Sequence, residues 1–450
     1  MQQGRDGFSS RFGVIAAAAG SAIGLGNIWR FPYVLGENGG GAFFLVYMAF
    51  ILVLGVPLML TEMSIGRAGQ RNPYGTFRFL APKTKWYLVG VMGVAAAFLI
   101  LSFYSAVAGW TLQYLFDAVT DGFSGKSSVE LNGMFESFRS STYAPSIWTL
   151  VFLVMTGCVV VAGVEKGIEK YAKVLMPLLF VIIIILDIRA VTLDGAEEGL
   201  KFLFHPDFSK LDSKAVLEAL GQAFFSLSLG MGTMITYGSY IGKKENLFSS
   251  ATSVSLADTA IAVLAGVAIF PAVFAFGIKP DSGPGLVFIT LPNVFQQMPG
   301  GYFFSVLFFF LLVIAALTSS ISLLEVVVSY FTEELKISRA KATVISFISI
   351  GVFGVMCSLS SGPLKEATIF DKTIFDMFDY ISSNILLPVA GFLIVIFTGW
   401  KWARKSVSNE ILGKDKPETS LFKVFMFIIK FIAPFAIALV FMNAVGILDL

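Results

Sequence analysis

Long runs of hydrophobic residues alternate with short polar loops along almost the whole chain. A helix needs about 20 apolar residues to cross the hydrocarbon core of a bilayer, and most of these runs have about that length. The pattern predicts eleven membrane-spanning helices, numbered here as spans 1 to 11. Their predicted ranges are 12–35, 41–66, 86–117, 146–162, 168–188, 215–240, 250–276, 301–331, 340–358, 376–399 and 422–446. The stretch Phe288 to Phe295 is too short to span and is predicted to form part of a re-entrant or capping hairpin on the outer face.

Spans 1 and 6 are each interrupted by glycines. Span 1 contains Gly24-Leu25-Gly26 followed by Arg30, and span 6 contains Gly230-Met231-Gly232. Unsatisfied backbone groups in hydrocarbon cost several kcal/mol each, so a broken helix persists there only where it lines a cavity or binds something. Helix packing through Gly20-x-x-x-Gly24 is the simpler interpretation, but an intramembrane arginine favours a functional site. Two interrupted spans at matching places in two halves indicate a transporter with inverted repeats.

The composition agrees with a membrane protein. Hydrophobic residues make up 56% of the chain and charged residues 14%, against about 25% charged in soluble proteins. No basic tract indicates nucleic-acid binding. Cys158 and Cys357 lie in apolar runs and are expected to be buried thiols rather than a disulfide or a metal pair. The single histidine, His205, lies in a predicted outer loop, and no catalytic motif is present, so we expect no enzyme.

The distribution of lysine and arginine predicts the orientation, because basic loops usually face the cytoplasm. The loop after span 2 has no acidic residue and contains Arg67, Arg71, Arg78, Lys83 and Lys85. The loop after span 10 contains Lys401, Arg404, Lys405, Lys414 and Lys416. The loop from 115 to 144 is instead mainly acidic. We therefore expect a multi-pass plasma-membrane (inner-membrane) protein with its N-terminus in the cytoplasm and its C-terminus outside.

Several polar residues lie inside predicted spans, and each permits two interpretations. The hydroxyls of Thr318, Ser319 and Ser320 in span 8 either bond back to their own helix or serve as ligands for a hard cation. Asp258 in span 7 has no Lys or Arg nearby, and a bound cation would pair its charge. Tyr104 in span 3 needs a hydrogen-bond partner, either in the core or on a ligand.

Other residues in the spans also permit two interpretations. Glu325 in span 8 either titrates or pairs with the broken sixth span. Gly167 and Pro177 in span 5 mark either an ordinary kink or an unwound stretch. Asp379, at the outer end of span 10, either faces solvent or pairs with Arg30.

The sequence GSAIGLGNIWRFPY at 20–33, followed by ENGGGAF at 37–43, closely resembles the neurotransmitter:sodium symporter family. Within it, the chain is similar to bacterial amino-acid transporters of the leucine-transporter type, especially eleven-span ones for bulky hydrophobic amino acids. The resemblance covers nearly the whole chain and recurs at 221–232, 288–292 and 317–321. It implies an all-α membrane domain, 1–450, with a five-plus-five inverted repeat and helices 1 and 6 unwound at the membrane midplane. The repeats would be 12–188 and 215–399, with 422–446 as an eleventh helix.

The resemblance also implies two sodium ions beside an amino-acid substrate. Sodium site one would contain Ala22, Asn27, Ser226 and Asp258. Sodium site two would contain Gly20, Ile23, Ala315, Thr318 and Ser319. The substrate site would contain Ala22, Leu25, Gly26, Tyr104, Phe225, Ser226, Ser228, Met231, Ser320 and Leu323. The outer gate would be Arg30 with Asp379, and the inner gate Arg5 with Glu333, assisted by Tyr240. Gly167 and Pro177 have the family's spacing for unwinding span 5.

The chain departs from the family pattern at four positions. Many members have Trp where this chain has Phe8. Asp258 stands where Asn is usual, and Ala262 stands where other members have a chloride-binding hydroxyl or a Glu. We therefore expect Asp258 to supply the negative charge that chloride supplies elsewhere, and transport to be chloride-independent. Met231 replaces a Phe, and its flexibility favours a pocket that adapts to bulky side chains.

The function expected from these observations is sodium-coupled import of bulky hydrophobic or aromatic L-amino acids, such as Trp, Phe, Tyr, Leu and Met. The protein is expected to work as a monomer by alternating access. The alternatives are an amino-acid sensor or an ion channel of the same fold. A channel needs a continuous pore lined by rings of carbonyls or charges, whereas the polar groups here converge on one closed site.

Overall fold

The structure is a computed structural model that describes residues 7–277 and 285–448. In this part of the chain the secondary structure is helical, apart from one isolated β-bridge between Ile369 and Lys372. Nine described helices are long and apolar enough to cross a membrane, or ten if one bent pair counts as a single span. The predicted sixth span is a pair of shorter helices outside this count. The total of eleven spans therefore stays a prediction.

The first half of the chain forms nine helices between Arg11 and Phe204. They are α1 (Arg11–Ala22), α2 (Gly26–Glu37), α3 (Gly41–Gly69), α4 (Pro73–Leu80), α5 (Tyr87–Val119), α6 (Ser128–Ser140), α7 (Ala144–Val161), α8 (Val164–Val191) and α9 (Ala196–Phe204).

The second half forms nine more. They are α10 (Ser213–Ser226), α11 (Thr233–Gly238), α12 (Leu247–Ala275), α13 (Leu291–Gln297), α14 (Gly301–Glu334), α15 (Arg339–Leu359), α16 (Ile374–Lys401), α17 (Arg404–Leu412) and α18 (Ser420–Ala444). The short α13 with its preceding turn Leu286–Thr290 corresponds to the predicted hairpin segment and buries Phe288.

The helix α14 lies at the centre of the bundle. It packs against α1, α5, α7, α8 and α15. In its most hydrophobic stretch of 18 residues, 83% is buried inside the protein. The corresponding share for α18 is only 28%, which places α18 at the periphery. Hydrophobic residues on peripheral helices face outward, as lipid-exposed surfaces require.

Both glycine-interrupted spans are broken in the structure. The helix α1 ends at Ala22, α2 begins at Gly26, and the two axes differ by 49°. The chain between α10 and α11 is non-helical, with positive φ at Ser228 (54°), Gly230 (79°) and Gly232 (75°). A Cβ on Gly230 would lie 2.6 Å from the carbonyl oxygen of Leu387, so the close approach of α16 also requires glycine. The depth of these breaks in the membrane stays a prediction.

The helix α8 carries Gly167 and Pro177, and the unwinding that the resemblance implies for them stays a prediction. It is continuous from Val164 to Val191, with a π-helical start at Val164–Glu169 and Pro177 inside it. A Cβ on Gly167 would lie 2.2 Å from the carbonyl oxygen of Val159. Close packing against the end of α7 therefore explains why position 167 is a glycine, whether or not the helix unwinds.

The three loops that follow spans 2, 6 and 10 meet on one face. Arg67 Nε donates to Glu410 Oε1 at 2.7 Å, and Lys243 Nζ lies 3.0 Å from the same carboxylate. Arg67 is buried by these contacts. The shared face agrees with the orientation predicted from charge, and its assignment to the cytoplasm stays a prediction.

The two cysteines have different surroundings. Cys357 is buried, as predicted, but Cys158 is exposed on α7, and the prediction of a buried thiol there is wrong. A helix at the lipid boundary is hydrophobic on every side, so apolar sequence neighbours do not indicate burial against protein.

Candidate functional site

A central cavity lies where the broken ends of α1–α2 and α10–α11 face α5 and α14. Its volume is about 30 Å³, well below the about 300–1,000 Å³ of small-ligand pockets, so the cavity is almost closed in this structure. Its lining is formed by Ser21, Ala22, Gly24, Gly26, Ile100, Tyr104, Phe225, Ser228, Met231, Ser319 and Leu323. Seven of these eleven residues were predicted for the substrate site and an eighth, Ser319, for the second sodium site.

One end of the cavity is polar. The backbone N–H of Leu25 donates to Tyr104 Oη at 3.2 Å, and Ser228 Oγ donates to the carbonyl oxygen of Ser21 at 2.9 Å. The C-terminal end of α1 presents carbonyls, which favour cations, and the start of α2 favours anions. A zwitterionic amino acid matches both ends. A Cβ on Gly24 would lie 2.3 Å from Ser319 Oγ, so glycine keeps this end open.

The other end is apolar and is formed by Ile100, Phe225, Met231 and Leu323. The sequence analysis did not identify Ile100. It lies four residues before Tyr104 on α5, and this helical spacing places the two side chains on one face. Two other predicted residues lie slightly apart from the cavity: Ser226 belongs to the neighbouring carboxylate cluster, and the Ser320 hydroxyl bonds to Thr156 Oγ1 at 2.9 Å.

A buried carboxylate lies beside the polar end. Asn27 Nδ2 donates to Asp258 Oδ1 at 2.7 Å, and Ser226 Oγ donates to Asp258 Oδ2 at 2.8 Å. Tyr47 Oη lies 3.5 Å from the same oxygen. All four side chains are at most 1% exposed. The Asn27 amide oxygen instead accepts from the backbone N–H of Gly24 at 3.1 Å. The oxygens gathered here are therefore the Asp258 carboxylate and the hydroxyls of Ser226 and Tyr47, and oxygen ligands suit a hard cation.

A second cluster of oxygens lies where α14 crosses the broken end of α1. Ser319 Oγ lies within hydrogen-bond distance of three carbonyl oxygens, those of Gly20 (3.3 Å), Ser21 (3.1 Å) and Ile23 (3.2 Å), and its single proton donates to one of them at a time. Thr318 Oγ1 donates to Ala315 O at 3.1 Å, and a Cβ on Gly20 would lie 3.2 Å from Thr318 Cβ. The structure thus brings together all five residues predicted for the second sodium site. Within the described ranges, no group of three or more His, Cys, Asp or Glu side chains could hold another metal.

The predicted outer-gate residues lie above the cavity without forming an ion pair. The Arg30 guanidinium lies 4.6 Å from the centre of the Phe225 ring. Asp379 instead accepts a hydrogen bond from Ser383 Oγ at 2.7 Å. Arg30 therefore covers the cavity through a ring contact, which is worth about 0.5–2 kcal/mol.

The predicted inner-gate residues lie at the opposite end, except that Arg5 is outside the described residues. Glu333 Oε2 accepts from the backbone N–H of Asn72 at 2.8 Å. Tyr240 Oη donates to Glu325 Oε1 at 2.6 Å, so Glu325 has a partner in the sixth span, one of its two interpretations. The ion pair of the Glu325 carboxylate is with Arg339 on α15, a partner that the sequence analysis did not identify. The ring of Phe8 packs edge-on against Tyr240 at 6.0 Å and against Tyr237 at 5.6 Å.

Glu62 on α3 is a site residue that the sequence analysis missed. Its Oε1 accepts from the backbone N–H of Gly230 at 2.7 Å, and the side chain is 1% exposed. This bond satisfies a donor that the break between α10 and α11 leaves without a helical partner. A lone acidic residue in a run of hydrophobic residues was the available signal.

Substitution of Glu62 tests whether transport depends on the hydrogen bond from the Gly230 N–H. Glu62→Leu leaves the Gly230 N–H without a partner, which costs about 1–3 kcal/mol, and we expect roughly a tenfold loss of uptake rate. Glu62→Gln retains an acceptor oxygen and should stay within about threefold of wild type. Initial uptake rates in proteoliposomes, with melting temperatures as a folding control, measure both. Equal losses for the two variants would show that the charge, and not the acceptor, matters.

The broken helices, the central cavity and the adjoining oxygen clusters define a helical membrane transporter. A sequence model of the "Sodium:neurotransmitter symporter family" matches residues 5–131 and 141–448, and the chain belongs to this family. The uncharacterized sodium-dependent transporter YhdH of Bacillus subtilis (strain 168) is 42% identical over 442 residues, with 98% of each chain covered. An uncharacterized sodium-dependent transporter of Haemophilus influenzae is 39% identical over 450 residues, again with 98% of each covered.

The fold also matches a solved structure. The crystal structure of MhsT in complex with L-phenylalanine has a TM-score of 0.91 and 48% sequence identity, covering 98% of this chain and 100% of that chain. These matches confirm the predicted family, the all-α leucine-transporter fold and a sodium-dependent transporter rather than an enzyme.

Proposed function

We propose that the protein couples the inward movement of sodium to import of bulky hydrophobic or aromatic L-amino acids, without a chloride requirement. The observation that carries this proposal is the arrangement of the central cavity. One end is polar, the other is apolar, and both oxygen clusters adjoin the polar end. Ser319 belongs to the cavity lining and to the second cluster, so this residue would contact both the substrate and the cation.

The substrate class follows from the two ends of the cavity. The α-carboxylate would lie at Leu25 and Tyr104, and the ammonium at the carbonyl end of α1. The side chain would contact Ile100, Met231 and Leu323. Met231 can adopt several rotamers, and this flexibility supports a range of bulky side chains. The L-phenylalanine bound to the similar transporter MhsT supports the same class.

The two oxygen clusters are proposed as sodium sites. Sodium prefers oxygen ligands, and the clusters consist of carbonyl, hydroxyl and carboxylate oxygens. Each sodium ion moving inward supplies about 2.3 kcal/mol per 100 mV of membrane potential, in addition to its concentration gradient. Asp258 accepts a hydrogen bond from Ser226 and lies next to Tyr47. Its carboxylate would therefore supply the negative charge beside the first sodium ion that a bound chloride would otherwise supply. This supports chloride independence.

The gates support alternating access. Arg30 over Phe225 covers the cavity on one side, and Phe8 with Tyr240 closes the other. We propose that the side bearing Phe8 is cytoplasmic and that the protein works as a monomer in the plasma membrane.

Uptake of radiolabelled Trp and Leu into proteoliposomes tests the proposal. An inward sodium gradient should drive saturable uptake at least tenfold above a potassium control, with unlabelled Phe, Tyr and Met as competitors. Glycine and alanine should compete weakly because they leave the apolar end unfilled, at a cost of about 1.5–3 kcal/mol per missing large side chain. Binding without uptake would favour a sensor, and single-channel currents would favour a channel. Preference for glycine or alanine would refute the substrate class.

A further inference from the structure

A groove lies between the last turn of α16 and the middle of α18, on the face where α17 lies and away from the central cavity. Its volume is about 560 Å³. Four of its lining residues are basic and none is acidic: Lys401, Arg404, Lys423 and Lys430. Aromatic residues form much of the remaining surface. The groove therefore combines several cations with aromatic rings on one surface.

Lys430 is the deepest cation in this groove. It is the eleventh residue of α18, about 15 Å along the helix from its start. An intramembrane lysine is costly unless it is paired. The ammonium of Lys430 lies 4.3 Å from the centre of the Trp400 ring and 5.6 Å from that of Phe431. Within residues 7–277 and 285–448, no carboxylate forms an ion pair with it.

The position of Lys430 is fixed by the packing of the two helices. A Cβ on Gly399 would lie 3.2 Å from Lys430 Cα, so glycine permits the close approach. Both helices are π-helical at the contact, over Phe397–Lys401 and Ile428–Ile432. Trp400 Nε1 donates to the backbone carbonyl of Lys430 at 3.3 Å. Such π-helical segments occur frequently at functional sites.

The basic charge of the groove is only partly compensated. Arg404 forms two hydrogen bonds with the carboxylate of Glu418, at 2.9 Å and 2.7 Å. Lys401, Lys423 and Lys430 have no such partner in the described part of the chain. Trp400, Phe427 and Phe431 are each more than half exposed beside them, at 58%, 56% and 51%. The groove therefore joins three lysines that form no ion pair in the described part of the chain to an apolar surface facing lipid, with Glu418 close enough to Lys423 to attract it.

We propose that this groove binds the headgroup of an anionic phospholipid. The phosphate would lie among the ammonium groups of Lys401, Lys423 and Lys430, and the acyl chains would lie along Phe427 and Phe431. Basic pockets between membrane helices on the cytoplasmic side suit anionic headgroups, and tryptophan is enriched at that depth. A soluble anion would satisfy the charge but would leave the exposed rings uncovered.

Lipid titration of the purified full-length protein tests the proposal. Native mass spectrometry would measure bound phosphatidylglycerol and bound phosphatidylcholine for wild type and for Lys401→Gln with Lys430→Gln. The matched control is Lys414→Gln with Lys416→Gln, which removes the same charge from the loop between α17 and α18, outside the groove. Since each lysine near an anionic lipid is worth roughly a fivefold change in affinity, the groove variant should bind phosphatidylglycerol at least tenfold more weakly. The control should match wild type.

Three results would overturn the proposal. Equal affinity of the wild-type protein for the two lipids would show that the phosphate charge is not recognised. Equal losses in the groove and control variants would indicate diffuse attraction by the whole loop. Displacement of phosphatidylglycerol by an equal concentration of soluble glycerol phosphate would identify a site for free phosphate. Lys423→Gln alone, at an exposed position, should weaken lipid binding with an unchanged melting temperature.

Discussion

Asp258→Asn should reduce sodium-driven uptake in chloride-free buffer by at least about 100-fold. The substitution keeps the size of the side chain and removes its negative charge from a fully buried position. Removing one member of a buried charge pair costs about 3–5 kcal/mol, and each 1.4 kcal/mol is tenfold in affinity. The expected defect is therefore in sodium affinity, measured as the sodium concentration that gives half-maximal uptake.

Chloride should restore part of the uptake of this variant. With Asp258 uncharged, the hydroxyls of Tyr47 and Ser226 lose a charged acceptor and can donate to an anion instead. Asp371→Asn, an exposed change with the same chemistry, is the control and should leave uptake unaltered. Wild-type uptake should be equal in chloride and gluconate buffers. A strict chloride requirement of the wild type would contradict the role assigned to Asp258.

The parts of the site formed by interrupted helices were predictable from sequence. Glycines within a hydrophobic run weaken a helix and can be read directly from the sequence. The breaks at 22–26 and 226–233 lie in the spans where these glycines predicted them. The resemblance then assigned the polar residues beside the breaks, and the structure brings the proposed ligands of the second sodium site together. Fold and family were thus accessible because both depend on strong local signals.

Other features depend on tertiary packing, which sequence patterns do not record. Ile100 contributes to the cavity only because α5 turns that face inward. The exposure of Cys158 follows from the peripheral place of α7, since lipid-facing and protein-facing helices are equally apolar. The continuous α8 likewise reflects close contact between Gly167 and Val159. Glu62 was visible as a polar residue in span 2, but its partner is 168 positions away.

Thr318→Val should raise the sodium concentration for half-maximal uptake by about tenfold while leaving the fold intact. In the structure, Thr318 Oγ1 donates only to carbonyls of its own helix, those of Ile314 and Ala315, both at 3.1 Å. Those carbonyls lie inside a helix, so losing the hydroxyl leaves no group unsatisfied. Valine also keeps the shape of the side chain. A hydrogen bond or ligand contact to a charged group is worth about 1.5–3 kcal/mol, or roughly tenfold or more.

The same substitution therefore separates the two interpretations of the hydroxyl cluster. If Thr318 only bonds back to its helix, Thr318→Val should behave like Thr111→Val, which removes a buried hydroxyl donating to Ala108 at 2.7 Å. If Thr318 is a sodium ligand, only the first variant should lose sodium affinity, and both should melt at the wild-type temperature. Ser319→Ala should lose more sodium affinity, because that hydroxyl also donates to one of the three carbonyls that the break in α1 leaves within its reach. Equal sodium dependence for wild type and Thr318→Val would remove Thr318 from the proposed second sodium site, and with it one of the five oxygens on which that proposal rests.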